Sequence, residues 1–125
     1  MADYCKYLGI SFKKGGRDTT GLDCYGLAIQ VCKDFGIDLP DYDTPDEQSL
    51  IYQLVNSEKE LFEELDKPEA GCLVLFSLKP FHFHIGVVVD NNRFIHILEK
   101  RNVAIEKLDN WFWKNKIVGF YKWKK

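Results

Sequence analysis

The sequence lacks the features that mark secreted and membrane-spanning proteins. No segment of the 125 residues approaches the run of about 20 apolar residues that a membrane-spanning helix needs. The first ten residues contain no basic region followed by an apolar one, so no signal peptide is predicted. We therefore expect synthesis and first folding in the cytoplasm. Internal repeats and long linkers are also absent, and we expect one domain spanning residues 1–125.

A basic surplus and paired cysteines are missing as well. The chain has 17 Lys and Arg against 19 Asp and Glu, a net charge of −2, which argues against a dedicated nucleic-acid-binding protein. Its four cysteines form no Cys-x-x-Cys pair, which disfavours a thiolate zinc site or a thioredoxin-like motif. We expect free thiols, with no bound metal and no cofactor.

The order of the predicted elements indicates an α+β fold. A helix is predicted over residues 24–35, with Leu27, Val31 and Phe35 near one face and Gly36 as its stop. A second helix is predicted from a capping motif at Thr44 to about Asn56. An antiparallel sheet of about five strands follows, and the predicted strands are Leu73–Phe76, His84–Val89, Arg93–Leu98, Val103–Ile105 and Ile117–Trp123. The aromatic run 111–113 is predicted to lie in a turn or short helix before the last strand.

Cys24 is the strongest candidate for a nucleophile. It follows a Gly-rich loop and opens a predicted helix, whose N-terminal partial positive charge favours a thiolate. Backbone N–H groups at such a helix start can also stabilise an oxyanion. The alternative, a small buried core thiol, stays open for Cys24 and fits Cys32 and Cys72 better.

The three histidines His82, His84 and His96 supply a candidate base. A three-residue loop of Asp90, Asn91 and Asn92 would pair Gly86 with His96, which places His84 and His96 on one face of the sheet. Asn92 would then adopt the left-handed conformation, and Gly86 would leave space for the imidazole. A zinc site formed by the three histidines is a weaker alternative, because no carboxylate or thiolate at a usual spacing completes it.

These motifs resemble those of the NlpC family of papain-like cell-wall peptidases. The segment Gly21-Leu22-Asp23-Cys24-Tyr25-Gly26 is similar to the family's Asp-Cys-Ser-Gly nucleophile motif. The segment His84-Ile85-Gly86 resembles its His-Val-Gly strand, and Arg93-Phe94-Ile95-His96 resembles its Arg-Phe-Ile-His segment. The resemblance extends from about Gly9 to the C-terminus.

The resemblance implies a papain-like fold, in which N-terminal helices, one of them bearing the cysteine, pack on a C-terminal antiparallel sheet. It also implies hydrolysis of amide bonds in peptidoglycan stem peptides, such as the bond between D-γ-glutamate and a diamino acid. Cys24 would be the nucleophile, His84 the general base and acid, and His96 the orienting residue. Asp23 would hold a substrate amine or act as the N-cap of the helix.

Three positions depart from the family pattern. Phe12 stands where many members have Tyr, Tyr25 replaces the usual Ser, and Cys72 replaces a common Asp. We expect Phe12 and Tyr25 to shape the substrate pocket. The departures leave two alternatives open. One is a tail-assembly or structural module with the same fold and little activity, and the other is a Cys-His amidase or acyltransferase that acts on another substrate.

Two features resemble the short, tail-associated family members that phages and prophages encode. They are the Tyr that follows the cysteine and the ending Ile117-Val118-Gly119-Phe120-Tyr121-Lys122. The expected partners are therefore a peptidoglycan stem peptide and phage tail proteins. Delivery to the cell wall with a phage particle is also expected, since no signal peptide is predicted.

Overall fold

The computed structural model describes residues 4–40, 62–80 and 82–124. The predicted helix from Thr44 to Asn56 lies outside the described residues. Two short 3₁₀ helices occupy Cys5–Tyr7 and Lys114–Lys116. The described α-helix and strands are β1 (Arg17–Asp18), β2 (Gly21–Leu22), α1 (Cys24–Asp34), β3 (Phe62–Leu65), β4 (Leu73–Lys79), β5 (His82–Val88), β6 (Arg93–His96), β7 (Ala104–Lys107) and β8 (Ile117–Trp123).

The main sheet is antiparallel and has the strand order β3-β8-β4-β5-β6-β7. This confirms the α+β class, but the described sheet has six strands rather than about five. The additional strand is β3, whose residues Glu63 and Glu64 are both exposed and give it no alternating apolar pattern. Strands β1 and β2 form a separate two-stranded ribbon within the predicted Gly-rich loop.

Helix α1 covers one face of the sheet. It begins at Cys24, as predicted, and Gly36 adopts the positive φ of 81° that ends such a helix. Leu27 and Val31 pack in a core with residues of the central strands, among them Val87 and Ile95. The burial of this face attaches the first turn of α1 firmly to the sheet.

The opposite face of the sheet is also apolar. A second core gathers buried side chains of β4, β5 and β6 together with three residues from the segments that flank the strands. Its buried members are Cys72, Val74, Phe76, Val88, Phe94, Leu108 and Trp113. A sheet that is buried on both faces explains the nearly continuous apolar sequence of β4 and β5.

The β5–β6 hairpin has the predicted three-residue connection. Val87 pairs with Ile95 and Val88 with Phe94, and the N–H of Val89 donates to the carbonyl of Arg93 at 2.9 Å. Extending this register by one pair places Gly86 opposite His96. A Cβ at Gly86 would lie 3.3 Å from the Cβ of His96, so glycine leaves the space that was predicted.

The predicted left-handed Asn92 is wrong. Among the described non-glycine residues, Lys100 alone has a positive φ. The turn is instead closed by the Asp90 carboxylate, which accepts from the backbone N–H groups of Asn92 at 3.0 Å and Arg93 at 2.8 Å. A side chain that caps its own turn in this way removes the need for a left-handed residue.

Candidate active site

Cys24 is buried at the first position of helix α1. The preceding residue, Asp23, is the N-cap, and its Oδ1 atom accepts from the N–H of Gly26 at 2.7 Å. The same oxygen accepts from Nη1 of Arg17 at 2.8 Å. The N-cap interpretation of Asp23 is thus confirmed, and its role in holding a substrate amine stays a prediction.

The Gly-rich loop is pressed against this helix start. A Cβ at Gly26 would lie only 2.0 Å from the carbonyl oxygen of Gly16, so no larger residue fits there without movement. Arg17 donates to the same Gly16 carbonyl at 2.9 Å. The loop, the N-cap and the first turn that carries Cys24 therefore form one tightly connected unit.

His84 and His96 form a buried, hydrogen-bonded pair. Nε2 of His84 lies 2.8 Å from Nδ1 of His96, and the residues are 2% and 3% exposed. Strands β5 and β6 place both side chains on the face of the sheet opposite helix α1, where the second core lies. We call this the second face. The structure thus brings together the predicted base and the predicted orienting residue.

Burial determines the protonation of this pair. It lowers the pKa of His84 well below its usual range, and the positive charges that His96 and His82 can carry act in the same direction. Burial also lowers the pKa of His96, although the neighbouring Glu106 carboxylate opposes that change. Both imidazoles are consequently neutral near neutral pH, the state in which His84 can accept a proton.

Glu106 and Trp113 belong to this site and were missed by the sequence analysis. Oε2 of Glu106 lies 2.5 Å from Nε2 of His96. The ring of Trp113 stands edge-on to His96, with centroids 4.9 Å apart, and is 5.8 Å from the ring of His84. Trp113 thereby shields the histidine pair from water.

A cleft of about 480 Å³ brings His84 to the start of helix α1. It is lined by Phe12, Asp23, His82 and His84, so the residue before Cys24 and the predicted base share one cavity. Three charged residues, Lys14, Glu99 and Arg101, complete the polar part of its lining. Leu78, Phe83 and Leu98 supply apolar surface beside them, so the cleft offers a ligand both charged and apolar contacts.

The NlpC/P60 family model matches residues 9–122, which is most of the chain and includes every candidate site residue. This chain belongs to the NlpC/P60 family. The match confirms the family that the motifs predicted.

Two curated relatives illustrate the relationship. The probable endopeptidase NlpC homolog of Haemophilus influenzae is 31% identical over 111 residues, which cover 88% of this chain and 54% of that protein. The murein DD-endopeptidase MepS/murein LD-carboxypeptidase of Escherichia coli K12 is 26% identical over 117 residues, which cover 93% of this chain and 57% of that protein. The NlpC/P60 chain thus spans little more than half the length of these relatives.

Solved structures support the fold. An NlpC/P60 family protein from Bacillus cereus has a TM-score of 0.71 at 21% identity, with 98% of this chain and 38% of that chain covered. The NlpC/p60 domain of the peptidoglycan hydrolase SagA has a TM-score of 0.63 at 18% identity, and the match covers 95% of this chain and 92% of that chain. The helix-on-sheet architecture predicted from the resemblance is therefore confirmed.

The two pocket residues predicted for this NlpC/P60 domain lie in different places. Phe12 lines the cleft, beside the position of Asp23. Tyr25 lies in the core, where its hydroxyl donates to the carbonyl of Pro40 at 2.6 Å, and it is absent from the described lining of the cleft. Its ring can therefore influence the cleft through packing, and its direct contact with a substrate stays a prediction.

Neither a metal cluster nor a membrane-spanning helix is found in the described part of the NlpC/P60 chain. No group of three or more His, Cys, Asp or Glu residues there is arranged to hold a metal ion. None of the helices in residues 4–40, 62–80 and 82–124 has the length and apolarity needed to cross a bilayer.

The thiols should differ sharply in reactivity. Burial raises the pKa of Cys32 to about 12 and that of Cys72 to about 11. At about pH 7 we expect iodoacetamide to modify Cys24 in the folded protein long before Cys32 or Cys72. Peptide mapping by mass spectrometry measures this order, with the exposed Cys5 as an internal reference. Equally slow modification of Cys24, Cys32 and Cys72 would favour the alternative in which the chain is a tail-assembly or structural module with the same fold and little activity.

Trp113 should contribute strongly to stability. Its side chain is 2% exposed, whereas that of the nearby Trp111 is 78% exposed. We expect Trp113→Ala to lower the free energy of unfolding by about 3–5 kcal/mol, and Trp111→Ala to change it by less than about 0.5 kcal/mol. Urea denaturation of both variants tests this difference, and equal effects would contradict the proposed packing of Trp113.

Proposed function

We propose that this chain is a cysteine peptidase that hydrolyses amide bonds of peptidoglycan stem peptides, such as the bond between D-γ-glutamate and a diamino acid. The observation that carries the proposal is that His84, hydrogen-bonded to His96, lines the same cleft as Asp23, the N-cap of the Cys24 helix. Curated relatives in the same family include proteins named as murein and peptidoglycan endopeptidases.

In the proposed reaction, Cys24 attacks the scissile carbonyl after its thiol proton passes to His84. Backbone N–H groups at the start of helix α1, including that of Cys24, stabilise the oxyanion. His84 returns the proton to the departing amine, which leaves a thioester on Cys24. Water then attacks the thioester with His84 as the base, releasing the acid and restoring the thiol. His96 orients His84 throughout.

The charges that line the cleft fit this class of substrate. Lys14 and Arg101 can attract the carboxylates of a stem peptide, and Asp23 and Glu99 can attract its amines. A stem peptide carries both kinds of group on a short chain.

Defined muropeptides test the proposal directly. The protein is incubated with purified stem peptides, and new free amines are labelled and located by mass spectrometry. We expect a new amine on the diamino acid. Intact muropeptides together with cleavage of an unrelated amide or ester would favour the alternative Cys-His amidase or acyltransferase. Intact substrates of every kind would contradict a hydrolytic function.

Delivery to the cell wall by a phage particle completes the proposal. It is supported by the resemblance of Tyr25, beside the nucleophile, and of the ending 117–122 to tail-associated family members. Particles induced from the source strain should contain this chain together with tail proteins, which peptide mass spectrometry of density-purified particles would detect. Its absence from such particles would contradict this part of the proposal.

A further inference from the structure

We propose that Glu106 is a positioning residue of this site, which selects the tautomers of His96 and His84 so that Nδ1 of His84 is the atom that takes the proton. The inference rests on the proposed cysteine peptidase function and extends its Cys-His-His triad by one carboxylate. Glu106 acts through His96 and is not expected to contact the substrate.

The register of β6 and β7 brings Glu106 to the histidine pair. His96 pairs with Ala104, and Phe94 pairs with Glu106, two pairs further along the ladder. Directly paired residues share a face of the sheet, so Glu106 lies diagonally beside His96 on the second face. Its Oε2 atom lies 2.5 Å from Nε2 of His96. Hydrogen bonds to a carboxylate are shorter and stronger than those between neutral groups, and this contact is a short one.

The direction of every hydrogen bond follows from this contact. A carboxylate accepts hydrogen bonds and does not donate them, so Nε2 of His96 must carry a proton. In a neutral His96, Nδ1 then holds a lone pair, and it accepts a hydrogen bond from Nε2 of His84 across 2.8 Å. Because Nε2 of neutral His84 is protonated, Nδ1 of His84 is left with the lone pair that a general base needs.

The opposite set of tautomers is disfavoured by the same contact. It would turn the Nε2 lone pair of His96 toward the Glu106 carboxylate, so that two acceptors faced each other. It would also leave Nδ1 of His84 protonated and unable to accept the thiol proton. Glu106 thus favours the tautomers in which Nδ1 of His84 can accept the thiol proton over those in which it cannot.

The charge of Glu106 has a second effect once His84 becomes an imidazolium ion. The negative carboxylate lies one imidazole away from this positive charge, and the two imidazoles themselves are buried beside Trp113 and the apolar second core. The Glu106 side chain itself is 36% exposed, so the carboxylate stays solvated while it acts on the buried pair. This arrangement offsets part of the cost that burial imposes on a protonated histidine.

Two variants separate the hydrogen bond from the charge. Glu106→Gln keeps an oxygen that can accept from His96 but removes the charge, and Glu106→Ala removes both. Glu63→Gln is the matched control, because Glu63 is exposed on β3 at the opposite edge of the sheet from β7. Long-range ¹⁵N–¹H NMR of the imidazole rings reports the tautomers in the full chain, and muropeptide hydrolysis reports kcat and KM.

We expect the unmodified protein and Glu63→Gln to show protonated Nε2 on both His84 and His96. Glu106→Ala should mix the tautomers and lower kcat by about tenfold to a hundredfold. We take this range from metalloenzymes, where removing the hydrogen-bond partner that orients a metal-bound histidine has an effect of this size. KM should change little. Glu106→Gln should largely retain the tautomers and lose less activity, and its histidine pair should titrate at a lower pH because the carboxylate no longer favours the protonated form.

Protonated Nδ1 on His96 in the unmodified protein would overturn the inference, and so would an unchanged kcat in Glu106→Ala. Failure of the proposed function would look different. The unmodified protein would then cleave no muropeptide, while the NMR measurement would still determine whether Glu106 fixes the tautomers.

Discussion

Cys24→Ala is expected to reduce muropeptide hydrolysis to the background rate. The substitution removes the sulfur that forms the thioester, and loss of the nucleophile in a comparable catalytic triad costs about 10⁶-fold in kcat. The change is small in volume, and Asp23 still caps the helix through its bond to Gly26, so the fold should survive. The rate of amine release from a defined muropeptide measures the effect.

Cys32→Ala is the matched control for this prediction. It makes the same chemical change eight positions further along α1, where the buried thiol lies 3.8 Å from the carbonyl of Gly71. We expect its activity to stay within about threefold of the unmodified protein, because it touches only core packing. Substantial activity in Cys24→Ala, or an equal loss in a folded Cys32→Ala, would contradict Cys24 as the nucleophile.

His84→Gln is expected to have the second largest effect on activity. An amide can still donate a hydrogen bond to Nδ1 of His96, but it cannot take the thiol proton or return it to the leaving amine. General acid–base groups contribute about 10²–10⁴-fold, so kcat/KM should fall by that factor. Alkylation of Cys24 at neutral pH should slow as well, since no imidazole at position 84 remains to accept the thiol proton.

His82→Gln provides the comparison, since His82 and His84 have the same parity on one strand. His82 lines the cleft, but only His84 is in hydrogen-bond contact with His96. We expect His82→Gln to lower kcat/KM by less than about tenfold. A larger loss of kcat/KM in His82→Gln than in His84→Gln would indicate that His82, and not His84, is the general base.

Much of the site could be predicted from local sequence because its positions follow from counting along short segments. Cys24 stands between a Gly-rich loop and an amphipathic helix, and the structure begins the helix there. The three-residue loop after Val89 fixes the parity of His84 relative to His96, and their contact at 2.8 Å agrees with that count. In these segments the spacing itself determines the geometry.

The missed residues depend on longer connections. Glu106 reaches His96 only through the β6–β7 register, and the connection between those strands is too long for its length to specify the pairing. Trp113 lies in an irregular segment with no hydrophobic period, so nothing local distinguishes it from the exposed Trp111. The error at Asn92 has the opposite origin, because a side chain of the loop itself, Asp90, changed the turn.

The position of the histidine pair inside the second core has a consequence for how this protein can evolve. The proposed base and its orienting residue share their packing with Phe76, Phe94 and Trp113, so changes there should affect folding and the proposed activity together. By contrast, Lys14, Glu99 and Arg101 at the rim of the cleft are exposed and contribute little to the core. Substitutions at the rim can therefore change what the cleft binds while the packed histidine pair is inherited unchanged.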